Sequence, residues 1–295
     1  MSEAPTIAHT IIKLKPEQSN KCKKRTASLI LKDKWSYWIP RMTLAEEPAR
    51  SLQEVENFEQ EPREKLATIE LIHASKIYDG VVAVHDVSLR IYENQITVLL
   101  GHNGAGKTTV LNMITGFVDC STGKVLVGGY DINVCTRDAR ESTGYCPQNN
   151  ILFDELTVEQ HAMFFAIVKG IPRSKVCGEL DSLLSDLDLN RHRKRIVSTL
   201  SVGQQRRLSA LLAVIGSPKV IVMDEPTANM DPDERRSMWE LLLEVRRGRT
   251  ILLTTQYLEE ADVLGDRIAV MANGQIRYST NKCHGYLELL SLSVG

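Results

Sequence analysis

The run Gly101-His-Asn-Gly104-Ala-Gly106-Lys107-Thr108 constrains this chain more than any other stretch of it. It follows the apolar segment Ile96–Leu100 and leads into residues 107–115, which read as a helix. The pattern G-x-x-x-x-G-K-[ST] in a strand–loop–helix setting is a phosphate loop. Its glycines let the backbone wrap closely round an anion, so that the loop N–H groups and the helix N-terminus face it. His102, Asn103 and Ala105 complete the loop, and Thr109 continues it into the helix. Lys107 is placed to put a point charge against the β- and γ-phosphates of a nucleotide, and the Thr108 hydroxyl is a hard oxygen ligand for Mg²⁺.

Around this loop, from Thr68 onward, short β-rich runs alternate with helical stretches. ITVLL, KVIVMDE, TILLTT and RIAVM are continuous apolar runs bounded by turns, which is how parallel strands buried on both faces read. ATIELIHA and VSLRIY precede them. Between about residues 153 and 201 the pattern is helical only. Thr157 and Gln160 are spaced as a capping box at the head of one helix, and SKVCGELDSLLSDLDL carries apolar residues at helical spacing. We read a helical subdomain inserted into an α/β core, with no internal repeat and hence one such unit.

VIVMDEPT is an apolar strand ending in two acids, Asp224 and Glu225. A buried parallel strand delivers its C-terminal end to the ligand crevice. Asp224 is expected in the Mg²⁺ shell and Glu225 beside the attacking water; alone, the pair would read equally well as a solvated strand end. Tyr78, in KIYDG, offers a ring that can stack on a base, although by itself it reads as an ordinary half-buried strand residue. Leu200-Ser-Val-Gly-Gln204 opens a further helix. Ser201 and Gln204 fit a capping box, so Ser201 has a purely local reading, while a helix N-terminus beside a glycine is also an anion site.

Phosphate loop, then LSVGQ, then IVMDE: this order resembles the ATP-binding-cassette family, whose LSGGQ signature is matched at Leu200, Ser201, Gly203 and Gln204 and departed from at Val202. The resemblance covers about residues 67–277. It implies an α/β fold: a P-loop NTPase core with a mainly parallel sheet, an antiparallel β subdomain and an inserted helical subdomain at about 153–205. It implies ATP and Mg²⁺ as ligands and an Mg-dependent ATPase activity. Gln148, in YCPQNN, falls at the glutamine that touches Mg²⁺ and the transmembrane partner; Asp231, in NMDP, at the D-loop aspartate; Tyr78 at the adenine-stacking position. ATP-binding residues are then Tyr78, Gly101 to Thr109, Gln148, Ser201, Gly203 and Gln204. Lys107, Glu225 and Gln256 carry catalysis, and Thr108, Gln148 and Asp224 hold the metal. CPQNNILFDELTVEQH, RRSMWELLLEVRRGRTILLTT and EEADVLGDRIAV resemble the A subfamily, the lipid-exporter type, and WSYWIP resembles a juxtamembrane segment of that subfamily. The implied partners are a second cassette and a transmembrane domain, and the implied location is the cytoplasmic face of a membrane.

Two features depart from that pattern. The family's switch histidine after TILLTT is replaced by Gln256, which hydrogen-bonds but cannot carry a proton charge; slower hydrolysis is the expectation. After GQIRY the chain continues STNKCHGYLELLSLSVG, an atypical tail at 281–295, which with the missing membrane domain points to a truncated or spliced product of a larger transporter. A degenerate cassette that binds ATP with little turnover, and a soluble non-transport cassette ATPase, are the alternatives.

Composition fits this reading. The chain has 295 residues, 43% hydrophobic, and a net charge of -1, which gives no global drive toward nucleic acid. Its six cysteines are scattered, without metal-ligand spacing, and read as reduced structural thiols. No run reaches the roughly 18 apolar residues of a membrane span. Residues 1–66 differ in texture: a basic stretch, the aromatic knot Trp35/Tyr37/Trp38, then an acidic stretch, read as a largely disordered or juxtamembrane tail.

Overall fold

The computed structural model describes residues 66–281; the expectations for the N-terminal segment and its aromatic knot, and for the C-terminal tail, lie outside the described residues. The strands are β1 (Ala67–Tyr78), β2 (Val81–Tyr92), β3 (Ile96–Leu100), β4 (Thr122–Val127), β5 (Tyr130–Asp131), β6 (Thr143–Cys146), β7 (Val220–Asp224), β8 (Thr250–Thr255), β9 (Arg267–Ala272) and β10 (Gln275–Asn281). The helices are α1 (Lys107–Ile114), α2 (Thr136–Glu141), α3 (Val158–Val168), α4 (Arg173–Asp186), α5 (Val202–Val214), α6 (Pro232–Val245) and α7 (Leu258–Leu264).

Six strands form one sheet in the order β10-β9-β3-β8-β7-β6, parallel except where β10 closes on β9; four form an antiparallel sheet, β2-β1-β4-β5. The expected α/β class, mainly parallel core and antiparallel β unit are all present. Alternation along the central strands explains why their sequences are apolar throughout. Ile96, Val98, Ile221, Met223, Ile251 and Leu253 face one way, into a core shared with α3 to α6. Leu99, Val220, Val222, Leu252 and Ala269 face the other, into a core shared with α1 and the antiparallel sheet. Successive side chains on a strand point to opposite faces, so a strand covered on both sides has no polar position to spare.

Between residues 153 and 201 the chain forms α3, α4 and two short 3-10 turns, at 190–192 and 197–199, as the helical pattern predicts. The Thr157 hydroxyl accepts from Gln160 N–H at 3.2 Å, and the Gln160 carboxamide accepts from Thr157 N–H at 2.8 Å, completing the predicted capping box. One backbone bridge, Thr157 to Ile196, staples the two ends of the insert together. Lys169, just past α3, donates to the carbonyls of Leu212, Ala213 and Ile215 at the end of α5, which ties the insert to the core. Helix α5 starts at Val202 and runs on through residue 205 into the core, so that expected boundary falls inside one continuous helix.

Candidate nucleotide site

Four motifs leave the same edge of the parallel sheet. The phosphate loop follows β3, Gln148 follows β6, Glu225 follows β7 and Gln256 follows β8. The C-terminal edge of such a sheet is where ligands bind, because each strand there hands its chain to a loop. Gly101 N–H donates to the Thr255 carbonyl at 3.1 Å, which anchors the start of the loop to β8. Gly106 has φ of +102°, and a Cβ there would lie 2.7 Å from the Ala83 carbonyl and 2.8 Å from the Met271 methyl. Only glycine combines that dihedral with that clearance.

Lys107 is buried at 5% exposure. Its Nζ donates to the carbonyls of Gly101 at 2.7 Å and His102 at 3.1 Å and stands 3.5 Å from Glu225 Oε1. Glu225 Oε2 accepts from Gln148 Nε2 at 3.1 Å. Glu225 itself sits at φ +44°, an uncommon region for a side-chain-bearing residue, and its N–H donates to Thr254 Oγ1 at 3.0 Å. The same hydroxyl donates to Asp224 Oδ1 at 2.6 Å. Asp224 Oδ2 is buried and has no hydrogen-bond partner among the described residues. A buried carboxylate oxygen without a donor is costly unless a cation or its water completes it. Asp224, Thr108 and Gln148 each carry the hard oxygen donor that suits Mg²⁺.

Lys107, Thr108, Gln148 and Glu225 border one cavity of about 620 Å³, lined also by Val81, Val82, Ala83, Asn103, Gly104, Gly106, Thr109, Asn273 and Gly274; Asp224 lies behind this lining. A recess of about 940 Å³ beside Arg137, Arg140 and Lys169 is larger. Its Arg140 and Lys169 donate to backbone carbonyls and its Arg137 to Glu141.

Other sequence-predicted residues fall elsewhere. Tyr78 ends β1, is 40% exposed and lies under Lys76 Nζ, 5.1 Å from the ring centroid. It does not line the cavity, although its register partner Val81 does. Gln256 is exposed at the end of β8 and is also outside the lining. Asp231 caps α6. Ser201, Gly203 and Gln204 open α5 and do not touch the cavity. There the Ser201 hydroxyl accepts from Gln204 N–H at 3.2 Å and the Gln204 carboxamide accepts from Ser201 N–H at 3.1 Å, so the capping box expected from spacing exists. The Val202 departure has a physical reading: Val202 is 54% exposed, whereas a Cβ at Gly203 would sit 2.2 Å from the Glu234 carboxylate. A side chain at 202 therefore meets open surface, whereas one at 203 would displace the Glu234 carboxylate.

Sequence reasoning missed Arg206. It is buried at 2% exposure beneath both Gln148 and Glu225, and nothing in QRRLS distinguishes it from a solvated helix arginine.

Comparison with known proteins places these features. Residues 84–228 match the family model "ABC transporter". The chain is 39% identical over 254 residues to human ATP-binding cassette sub-family A member 2, covering 82% of this chain and 10% of that protein. It is 43% identical over 253 residues to human phospholipid-transporting ATPase ABCA3, covering 82% and 15%. It is 47% identical over 203 residues to human retinal-specific phospholipid-transporting ATPase ABCA4, covering 68% and 9%. The chain thus spans between 9% and 15% of the length of these relatives. Among solved structures, cbiO1 from Clostridium perfringens, part of the ABC transporter complex cbiONQ, superposes with a TM-score of 0.70 at 26% identity over 77% of this chain and 94% of that one. The ATP-binding subunit of an ABC transporter superposes with a TM-score of 0.69 at 24% identity over 77% and 99%, a likeness of fold. The chain belongs to the ATP-binding-cassette family of ATPases, and the domain it folds is a nucleotide-binding domain of the A-subfamily type.

Proposed function

We propose that this chain binds ATP with Mg²⁺ at the phosphate-loop cavity and hydrolyses it after pairing with a second cassette, and that the hydrolysis drives transport, with a phospholipid as the cargo class. One observation carries the reading: Lys107, Thr108, Gln148 and Glu225 converge on one cavity, while the signature Ser201–Gln204 stands outside it. A triphosphate in that cavity is then closed over by the signature of another cassette. The Lys107 ammonium balances charge on the β- and γ-phosphates. Thr108, Asp224 and Gln148 would hold Mg²⁺, which supplies charge neutralisation across the same phosphates. The Glu225 carboxylate, steadied by Gln148, orients and polarises the attacking water. The cargo class rests on the printed names of the ABCA3 and ABCA4 relatives.

No described helix is long and apolar enough to cross a membrane. The transmembrane partner of this reading docks on the cassette surface. The exposed apolar residues Ile151, Phe153, Phe164 and Ile167, just past Gln148 and on α3, suit such a surface. On this reading the cassette sits at the cytoplasmic face of a membrane.

Glu225→Gln tests the reading. It should lower turnover by about 100-fold or more. It should also hold or tighten ATP binding, because Lys107 no longer faces a carboxylate, and should accumulate a dimer in ATP on size exclusion. A monomeric variant with wild-type turnover sinks the mechanism. A second reading, a cassette that binds ATP with little turnover, is favoured by Gln256, which replaces the family's histidine and lies outside the cavity lining. Turnover of the purified wild-type chain separates the two.

A further inference from the structure

Arg206 lies on α5, the helix that the signature begins, and its guanidinium is surrounded by acceptors from two loops. Nε donates to the Pro226 carbonyl at 2.8 Å. Nη2 donates to the carbonyls of Asp224 at 2.7 Å and Glu225 at 2.9 Å. Nη1 donates to the carbonyls of Pro147 and, at 3.1 Å, Gln148, and to Asn150 Oδ1 at 3.3 Å. Ser209, one turn along α5, donates its hydroxyl to the same Asn150 oxygen at 3.0 Å. One edge of the fork therefore holds the chain after β7, and the other holds the chain after β6.

We propose that Arg206 is a positioning residue that sets the contact between Gln148 and Glu225 by clamping both backbones to the signature helix. The proposal rests on the role assigned to Glu225 above. Three observations support it. The acceptors are backbone carbonyls flanking the two residues whose side chains meet at 3.1 Å. Glu225 adopts a positive φ, which persists only where surrounding contacts over-determine it. The guanidinium is planar and rigid, with five N–H donors in a fixed fork, so it transmits a displacement of α5 to both loops. Lysine, with donors on one flexible point, could satisfy one side of the clamp and not both. Because Ser201 and Gln204 are at the start of the same helix, engagement of the signature by nucleotide on a partner cassette would pull on Gln148 and Glu225 together through this guanidinium.

The test uses the full 295-residue chain with two readouts. Hydrogen exchange without nucleotide reads the clamp itself. In Arg206→Met, peptides containing residues 147–150 and 224–227 should exchange at least about tenfold faster, and in Arg206→Lys at least one of the two should, while the peptides of β3 and β8 keep wild-type protection. ATP turnover reads the consequence. Both variants should lose about 10²-fold in kcat with KM changed less than about threefold, as expected when a catalytic group is misplaced rather than removed. Gln148→Ala should cost far less in the Arg206→Met background than in wild type, because the two act through one contact. Wild-type exchange at both loops, a wild-type kcat, or additive losses with Gln148→Ala would each overturn the clamp. Should Arg206→Met fail to fold, Arg206→Lys carries the same comparisons. If the wild-type chain shows no turnover, the assignment of Glu225 fails, and hydrogen exchange alone then decides whether Arg206 clamps the two loops.

Discussion

At the scale of single residues, the site is built from opposed demands on a few groups. Lys107 and Glu225 face each other at 3.5 Å, so the group proposed to attract the phosphates is also partly engaged by the group proposed to activate water. Gln256 offers a neutral hydrogen bond where the family uses histidine. Gln256→His should raise kcat, because a charge-assisted bond to a developing phosphate charge exceeds a neutral one by about 1 kcal/mol, or about fivefold in rate. An unchanged steady-state rate removes the switch role from this position. His161 illustrates a second kind of residue-level constraint. It is fully buried; its Nε2 accepts from Phe153 N–H at 2.8 Å and its Nδ1 pairs with the Thr157 carbonyl at 3.2 Å. Burial pulls its pKa below the ordinary 6.5, with the Thr157 carbonyl opposing. Below pH 6.5 the unfolded chain takes up a proton that the folded chain resists, so this contribution to stability is complete above 6.5 and declines as the pH falls. Urea midpoints measured from pH 7.5 to 5 should fall more steeply for wild type than for His161→Gln; parallel slopes would contradict the assignment.

At the scale of elements, α3 and α5 make a controlled comparison. Both begin with a complete capping box of nearly equal geometry, Thr157/Gln160 and Ser201/Gln204. Thr157→Ala and Ser201→Ala should each cost about 1 kcal/mol of stability, a fall in Tm of about 2–4 °C for a domain of this size. Only Ser201→Ala should also reduce ATP turnover, because only its helix start is offered to a phosphate. Equal, purely thermal effects would leave Ser201 as a cap and nothing more. The same comparison shows why some elements are legible in sequence and others are not. Capping boxes depend on residues three apart, and β3, β7 and β8 announce themselves by unbroken apolar runs. β4 and β6, TGKVLV and TGYC, are short and carry glycine and polar residues, so nothing local separates them from loops. The two acids proposed for catalysis and the phosphate loop are read from side-chain types at fixed spacing. The role of Arg206 is not, because its partners are almost all main-chain carbonyls, which every residue possesses, brought together from segments far apart in the chain.

At the scale of the whole molecule, the position of the signature outside the cavity makes a quantitative demand. If each active site is formed by the phosphate loop of one cassette and the signature of another, the two halves can be inactivated in different chains and recombined. Lys107→Ala removes the charge that holds the phosphates and leaves α5 intact; Ser201→Arg puts a bulky cation at the signature and leaves the cavity intact. Each variant alone should be inactive, since every pair it forms has two defective sites. In an equimolar mixture half of the pairs are mixed, and by two-fold symmetry each mixed pair has one site with an intact loop and an intact signature. The mixture should therefore recover about a quarter of wild-type turnover, provided that pairing is random and the sites act independently. Wild-type turnover per chain should also rise with chain concentration until pairing saturates. Inactivity of the mixture alongside wild-type turnover that is independent of dilution would mean that one chain completes its own site, and the shared-site mechanism would have to be abandoned.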